Sequence, residues 1–93
     1  MIFKKILKNK SFLVYGLSLT GLSVVKFLKK SYAKNIFLWD DNINQRKRFN
    51  LKENDNSIRK KFSDVDYIIL SPGISINNSK KNFLLYKNKE KII

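Results

Sequence analysis

A short segment with two glycines, Gly16-Leu-Ser-Leu-Thr-Gly21, has the spacing that best suits binding of a phosphate group. In the G-x-G-x-x-G turn of dinucleotide-binding folds, the first glycine makes a tight turn, the second admits a pyrophosphate, and the third lets the helix pack on the strand. Gly16 and Gly21 occupy the first and third of these positions, and Ser18 occupies the second. Because the first N–H groups of a helix attract anions, we expect residues 18–21 to bind a phosphate.

An acidic residue follows the next apolar run at a distance that suits a nucleotide. Asp40 lies about 20 residues after Gly21, where a dinucleotide-binding fold places the carboxylate that binds the ribose. Two structural alternatives remain open. Gly16 and Gly21 could serve only the geometry of a strand-to-helix turn, and Asp40 could be a solvated strand end or the cap of a helix near Ile43. The glycines and the acid together favour a nucleotide-phosphate site.

A third loop is expected at the same place. The segment Ser71-Pro72-Gly73-Ile74 directly follows a third apolar run, and a Pro-Gly pair fixes a sharp turn. The alternative is a turn with no further role. Ligands of open α/β sheets bind outside the carboxyl ends of the strands, so three loops at that edge favour a binding crevice.

The elements that must position these loops follow from the apolar pattern. Compact apolar runs predict strands over 11–16, 36–39, 67–70 and, as an opening, 91–93. Helical spacing predicts helices over 1–10, 22–30, 43–50 and 80–90, the last with Phe83, Leu84 and Lys87 on one face. The polar stretch after residue 50 predicts an exposed loop rich in asparagine. We therefore predict a single small α/β domain with a Rossmann-like parallel sheet flanked by helices.

Composition excludes several classes of function. The 93 residues include no Cys and no His, which excludes zinc fingers, Fe–S clusters, disulfides, Ser-His-Asp triads and thiol nucleophiles. We predict no metal site and no catalytic residue. The longest apolar runs have four residues, too few for a signal peptide or a membrane span, so we expect a cytoplasmic protein without membrane contact.

A net charge of +13 suggests a partner with phosphates, such as a nucleic acid. However, 17 of the 20 basic residues are lysine, and the abundant residue types Lys, Asn, Ile, Phe and Tyr all have A/T-rich codons. Bidentate recognition of phosphate favours arginine instead. We therefore attribute most of the charge to compositional drift and consider a nucleic-acid partner unlikely.

The three motifs together resemble a known family. Residues 14–23, 38–42 and 66–74, with their patterns G-L-x-L-T-G and D-x-I-I-x-S-P-G-I, are similar to the amino-terminal domain of the Mur ligases, especially those that add D-glutamate. The resemblance implies an ATP-dependent enzyme of peptidoglycan synthesis that forms an amide bond through an acyl phosphate. It also implies that this domain holds the UDP part of UDP-N-acetylmuramoyl-L-alanine. The P-loop for ATP and Mg²⁺ and the site for D-glutamate would lie in two later domains and not here.

The resemblance also assigns roles to single residues. Leu19 and Thr20 would offer donors to the diphosphate. Asp40, with the backbone of Asp41, would hold the uracil, and Gly73 would line the opposite wall. Two departures from the family pattern bear on these roles: Ser18 replaces the usual middle glycine, and Asp41-Asn42 stand where some members carry Thr-Arg.

The 93 residues contain no G-x-x-x-x-G-K-[ST] segment for ATP phosphates. We therefore expect a fragment or a truncated reading frame that lacks the central ATP-binding and carboxyl-terminal domains and is inactive alone. These missing domains would be its partners. Two other functions stay open: an NAD-type or regulatory nucleotide-binding domain and, less favoured, a basic nucleic-acid-binding protein.

Overall fold

The fold was obtained as a computed structural model, which describes residues 7–93 apart from the side chain of Thr20. Most of the helix predicted over 1–10 lies outside the described residues. The strands are β1 (Ser11–Tyr15), β2 (Asn35–Trp39) and β3 (Tyr67–Leu70). The helices are α1 (Leu19–Lys30), α2 (Ile43–Arg48), α3 (Asp55–Asp64) and α4 (Asn82–Lys87), followed by a 3-10 turn, Lys89–Lys91.

The strands form a parallel sheet in the order β2-β1-β3. Tyr15 on the central strand is in register with Trp39 on one side and Leu70 on the other, so all three strands end at one edge. We call this the carboxyl edge and the opposite one the amino edge. The predicted α/β class and the three predicted strands are confirmed. The strand expected from residue 91 is limited to a parallel bridge between Ile92 and Ile68.

Side chains of β1 alternate between two apolar clusters, one on each face of the sheet, as the period of a strand requires. Phe12 and Val14 pack with Val25 and Leu28 of α1 on one face. On the other face lies a cluster built by all three strands, the helices α3 and α4, and the residue that follows α3: Leu13, Tyr15, Trp39, Ile58, Phe62, Val65, Ile68 and Leu85. The sheet is therefore covered by helices on both sides. Within residues 7–93, no helix is long and apolar enough to cross a membrane.

The prediction of an exposed loop after residue 50 is wrong, because α3 occupies much of that stretch. Ile58 and Phe62, one helical turn apart, are fully buried against the sheet. Asn54 and Ser57 form a capping box, in which Asn54 Oδ1 accepts from Ser57 N and Ser57 Oγ accepts from Asn54 N, both at 2.8 Å. Two apolar contacts and a good cap are enough to form a helix from a sequence that is otherwise polar.

The helix predicted over 80–90 is shorter and faces another way. Leu85 is its fully buried residue, whereas Phe83 is 70% exposed and only Leu84 of the predicted face packs on the core. A six-residue helix makes less than two turns, so its orientation depends on where the preceding segment attaches it. Periodicity alone was therefore a weak guide to its buried face.

Candidate functional site

The three loops predicted to meet at the carboxyl edge do so through direct hydrogen bonds. The backbone N–H of Leu17 donates to Asp40 Oδ2 at 2.8 Å, which joins the first loop to the second. The hydroxyl of Ser71 donates to the carbonyl of Gly16 at 2.6 Å, which joins the first loop to the third. This last bond is buried. The loops are thus fixed relative to one another by short contacts.

Gly16 and Gly21 occupy positions that require glycine, the first because of its backbone angle and the second because of its close neighbours. Gly16 has a φ of +106°, a conformation that side chains rarely adopt, and makes the turn out of β1. At Gly21, a Cβ atom would lie 2.2 Å from the carbonyl oxygen of Gly16 and 2.8 Å from Ser71 Oγ. Only a hydrogen fits there, so Gly21 permits the close packing of α1 on the first loop. These are the roles expected of the first and third glycines of the motif.

Gly73, the predicted opposite wall, differs from these two. Its φ is +91°, but a Cβ atom built on it would have no atom within 4 Å. Gly73 and its neighbour Pro72 are exposed. The third loop therefore presents an open and smooth surface at the carboxyl edge.

The amino terminus of α1 lies in the first loop, as predicted. Ser18 is the N-cap residue, has extended backbone angles, and makes no side-chain hydrogen bond to the helix. Leu19 begins the helix and is 85% exposed, and Thr20 follows it. The first turn contains no acidic residue. Because the first N–H groups of a helix lack partners within it, this turn can bind an anion from the solvent.

Asp40 ties two loops together. Besides the bond to Leu17, Asp40 Oδ1 accepts from the backbone N–H of Asn42 at 2.8 Å. The cap of α2 is Asn42, whose side chain accepts from Asn44 N at 2.9 Å, so the alternative of Asp40 as a helix cap does not apply. Each carboxylate oxygen of Asp40 has a second lone pair, so the group retains acceptor capacity. Through its bond to Leu17, Asp40 orders the first loop.

Asp41 is joined to both the sheet and the segment before α4. Asp41 Oδ1 accepts from the Tyr15 hydroxyl at 2.5 Å, and from Trp39 Nε1 at 3.4 Å. Asp41 Oδ2 accepts from the backbone N–H of Lys80 at 2.9 Å. Burial, and next the hydrogen bond to Asp41, raise the pKa of Tyr15 well above its ordinary value, so the phenol stays protonated near neutral pH.

Cationic groups also reach this edge. Arg46 Nη1 donates to the carbonyl of Asp40 at 2.6 Å and to that of Asp41 at 3.2 Å, and its guanidinium lies 4.3 Å from the centre of the Trp39 ring. Lys81 Nζ lies 5.1 Å from the same ring. The backbone of Asp41, a predicted uracil contact, therefore already accepts one hydrogen bond at its carbonyl. Arg46 thus places a guanidinium beside the second loop, where Asn42 stands at a position at which the resemblance implies an arginine in some members.

A neighbouring cavity of about 380 Å³ opens between α3 and α4. It is lined by Asp55, Asn56, Arg59, Lys80, Lys81, Phe83 and Leu84. None of the predicted site residues lines it, so it is separate from the phosphate loop.

Sequence reasoning missed several residues that shape this edge: Tyr15, Arg46, Ser71 as a hydrogen-bond donor, and Lys80. The bond between Tyr15 and Asp41 joins residues 26 apart, and that between Asp41 and Lys80 joins residues 39 apart. Such pairs leave no local pattern. Only Tyr15 had a usable signal, because its hydroxyl sits at the end of a buried strand and needs a partner.

Comparisons with known proteins agree with this geometry. A family model described as the Mur ligase MurD-like, N-terminal domain matches residues 10–92. A curated relative, the UDP-N-acetylmuramoylalanine--D-glutamate ligase of Wolbachia sp. subsp. Brugia malayi (strain TRS), is 38% identical over 82 residues. That match covers 84% of this chain but 16% of the relative, so the chain spans a small part of that enzyme's length. No solved structure matches significantly. The chain belongs to the family of MurD-like amino-terminal domains of the Mur ligases.

Proposed function

We propose that this chain is the nucleotide-anchoring domain of a ligase that adds D-glutamate, and that it holds the UDP part of UDP-N-acetylmuramoyl-L-alanine. The family and the name of the Wolbachia relative support this activity. The cysteine-free composition is compatible with the reducing cytoplasm, which we propose as its compartment.

The observation that carries the proposal is the position of the first turn of α1. This turn begins beside Gly16, at the edge where three loops are hydrogen-bonded together. The side chain of its N-cap residue, Ser18, makes no hydrogen bond to the helix. N–H groups of this turn, including those of Leu19 and Thr20, would donate to the diphosphate, which the helix dipole also favours. Gly73 would line the other side of the diphosphate.

The uracil would lie beside the second loop. Asp40 keeps acceptor capacity for a ring N–H after binding Leu17 and Asn42, and the backbone of Asp41 lies next to it. The guanidinium of Arg46, held by both carbonyls, adds a cationic group near this position. These contacts would distinguish the base, whereas the α1 turn would recognise the diphosphate.

The contribution of such a domain to catalysis is positional. Binding energy from a part of the substrate remote from the reaction can orient the reacting carboxylate elsewhere. The 93 residues have no P-loop sequence, so we propose that ATP and Mg²⁺ are bound by other parts of the protein. No side chain of this chain is proposed to transfer a proton or attack the substrate.

Calorimetric titration with UDP and with UDP-N-acetylmuramoyl-L-alanine tests the proposal. Trp39, the single tryptophan, contacts Arg46 and Asp41, so its fluorescence should change when either ligand binds. Binding of NAD without binding of UDP compounds would instead indicate the NAD-type alternative. Failure of both UDP compounds to bind at millimolar concentration would contradict the proposal.

A pair of variants assigns the binding to the α1 turn. Ser18→Asp places an acid at an N-cap, which suits the helix but repels a diphosphate, so we expect UDP affinity to fall about tenfold or more without loss of stability. Asn54→Asp is the matched control, because it adds the same charge to the N-cap of α3. Equal loss of affinity in both variants would show a general effect of charge rather than a site at α1.

A further inference from the structure

The segment that carries the proposed wall of the site is attached to the sheet at both of its ends. Residues 71–81 connect β3 to α4 and include Gly73. At the start, Ser71 N donates to the carbonyl of Tyr15 at 3.0 Å, and Ser71 Oγ donates to that of Gly16 at 2.6 Å. This first attachment continues the pairing of β1 with β3.

The second attachment is made by two side chains. The backbone N–H of Lys80 donates to Asp41 Oδ2 at 2.9 Å, and that of Lys81 donates to the Tyr15 hydroxyl at 3.3 Å. The same hydroxyl donates to Asp41 Oδ1 at 2.5 Å. Tyr15 and Asp41 therefore act together on two successive N–H groups.

The Tyr15 hydroxyl is suited to hold this position. Its ring is buried in the core, its proton is donated to a carboxylate, and its oxygen accepts from Lys81. A hydrogen bond to an ionised acceptor is roughly twice as strong as one between neutral groups. Asp40 and Asp41, adjacent in sequence, thus bind different segments: Asp40 binds the first loop, and Asp41 binds the end of residues 71–81 at Lys80.

We propose that Tyr15 and Asp41 are positioning residues that hold residues 71–81 in the conformation that a UDP-linked substrate requires. This role rests on the proposed function. When a loop is ordered before binding, the ligand does not bear the entropic cost of ordering it. If the attachment is lost, only a fraction of molecules present the wall correctly, and the apparent dissociation constant rises by the inverse of that fraction.

The variant Tyr15→Phe tests the role, because it removes one hydroxyl and keeps the ring in the core. We expect its UDP affinity to fall about tenfold, the effect of losing one charge-assisted bond. Amide exchange measured by NMR should become faster at Lys80 and Lys81, while the amides in the middle of α1 keep their protection. The matched control is Tyr67→Phe on β3, whose ring stacks on Phe12 at 5.5 Å. It should change neither quantity.

Asp41→Asn provides a second and independent test. The Tyr15 hydroxyl and Lys80 N donate to different oxygens of Asp41. Because the amide replaces one of these oxygens with an NH₂ donor, one of the two bonds is lost. We expect a similar loss of affinity. Because both side chains belong to one attachment, the double variant should lose little more than either single variant.

The outcomes separate this role from the proposed function. If the unaltered chain binds UDP and Tyr15→Phe binds it equally well, the positioning role is wrong and the proposed function stands. Equal losses in Tyr15→Phe and Tyr67→Phe, or fully additive losses in the double variant, also overturn the role. If the unaltered chain binds no UDP compound, the proposed function fails and this role fails with it.

Discussion

The two edges of the sheet are stabilised by similar contacts but offer different groups to the solvent. At the amino edge α1 and α3 end, and basic side chains lie near their last carbonyls. Lys29 and Lys30 lie in the last turn of α1, and Lys91 Nζ donates to the carbonyls of Phe62 and Ser63 at 3.0 and 2.8 Å. Cations at these positions complement the helix dipole. Part of the lysine excess therefore has a structural use.

At the carboxyl edge the same helices begin, so N–H groups replace carbonyls. Here the acids Asp40 and Asp41 bind backbone N–H groups of the loops, just as Asp66 Oδ2 binds Ser11 N at the amino edge at 2.8 Å. The difference lies in α1, whose N-cap residue Ser18 makes no side-chain bond to the helix. The first turn of α1 therefore leaves N–H donors at the carboxyl edge, which the proposed function assigns to the diphosphate.

The largest expected effect is that of Gly21→Ala at the carboxyl edge. The new Cβ would lie 2.2 Å from the backbone carbonyl of Gly16, so either α1 or the first loop must move. We expect a loss of unfolding free energy on the order of 3 kcal/mol or more, a large part of the stability of a small domain. Urea denaturation followed by circular dichroism measures it.

Gly73→Ala is the matched control for this prediction. It has no steric conflict within 4 Å but keeps a φ of +91°, so only backbone strain of about 1–2 kcal/mol is expected. If both substitutions cost the same, the close approach of α1 to the first loop would not be what requires Gly21.

A smaller effect is expected when a carboxylate at either edge is replaced. Comparing Asp40→Asn with Asp66→Asn separates the loss of UDP binding from the loss of stability. In Asp40→Asn, one of the two backbone N–H groups must face an amide NH₂, so we expect a stability loss of about 1–3 kcal/mol and about a tenfold loss of UDP affinity. In Asp66→Asn, the one amide oxygen can still accept from Ser11 N, so stability should fall by at most about 1 kcal/mol. Its UDP affinity should not change.

Calorimetric titration and urea denaturation of the same samples check both halves of this prediction. Asp40→Asn with unchanged UDP affinity would remove Asp40 from the binding site and leave it a purely structural role. Reduced affinity in Asp66→Asn would mean that the two edges are not independent, since that residue lies at the far end of the strands.

The sequence predicted the parts of this site that depend on local rules. A strand, a glycine turn and a helix are each set by neighbouring residues, and the parallel order of strands then brings Gly16, Asp40 and Ser71 to one edge. Gly16 and Gly21 were identified from the spacing of the motif, and the structure gives the physical reason for each: a φ of +106° at Gly16 and the close approach of the Gly16 carbonyl at Gly21.

The remaining parts depend on contacts distant in sequence. The helix α3 is mostly polar and has two fully buried residues, Ile58 and Phe62. Because so few apolar residues give no clear periodicity, its packing on the sheet could not be predicted from the sequence. The capping box at Asn54 and Ser57 was a local signal that the asparagine-rich composition obscured. The attachment of Lys80 to Asp41 follows from the path of residues 71–81, which no local pattern determines.

The smallest expected effect concerns the ion pair between Asp55 and Lys81, whose charged atoms lie 2.5 Å apart near the carboxyl edge. The hydrogen bond from Lys81 lowers the pKa of the exposed Asp55 below its ordinary value of 3.8. A lowered pKa in the folded state means that this contribution is present above pH 3.8 and is lost as the pH falls through the folded value. Solvent screens such a pair, so Asp55→Asn should barely shift the urea midpoint at pH 7, and less still in high salt. A large shift that persists in high salt would instead mean that this ion pair, rather than Tyr15 and Asp41, orders the segment before α4.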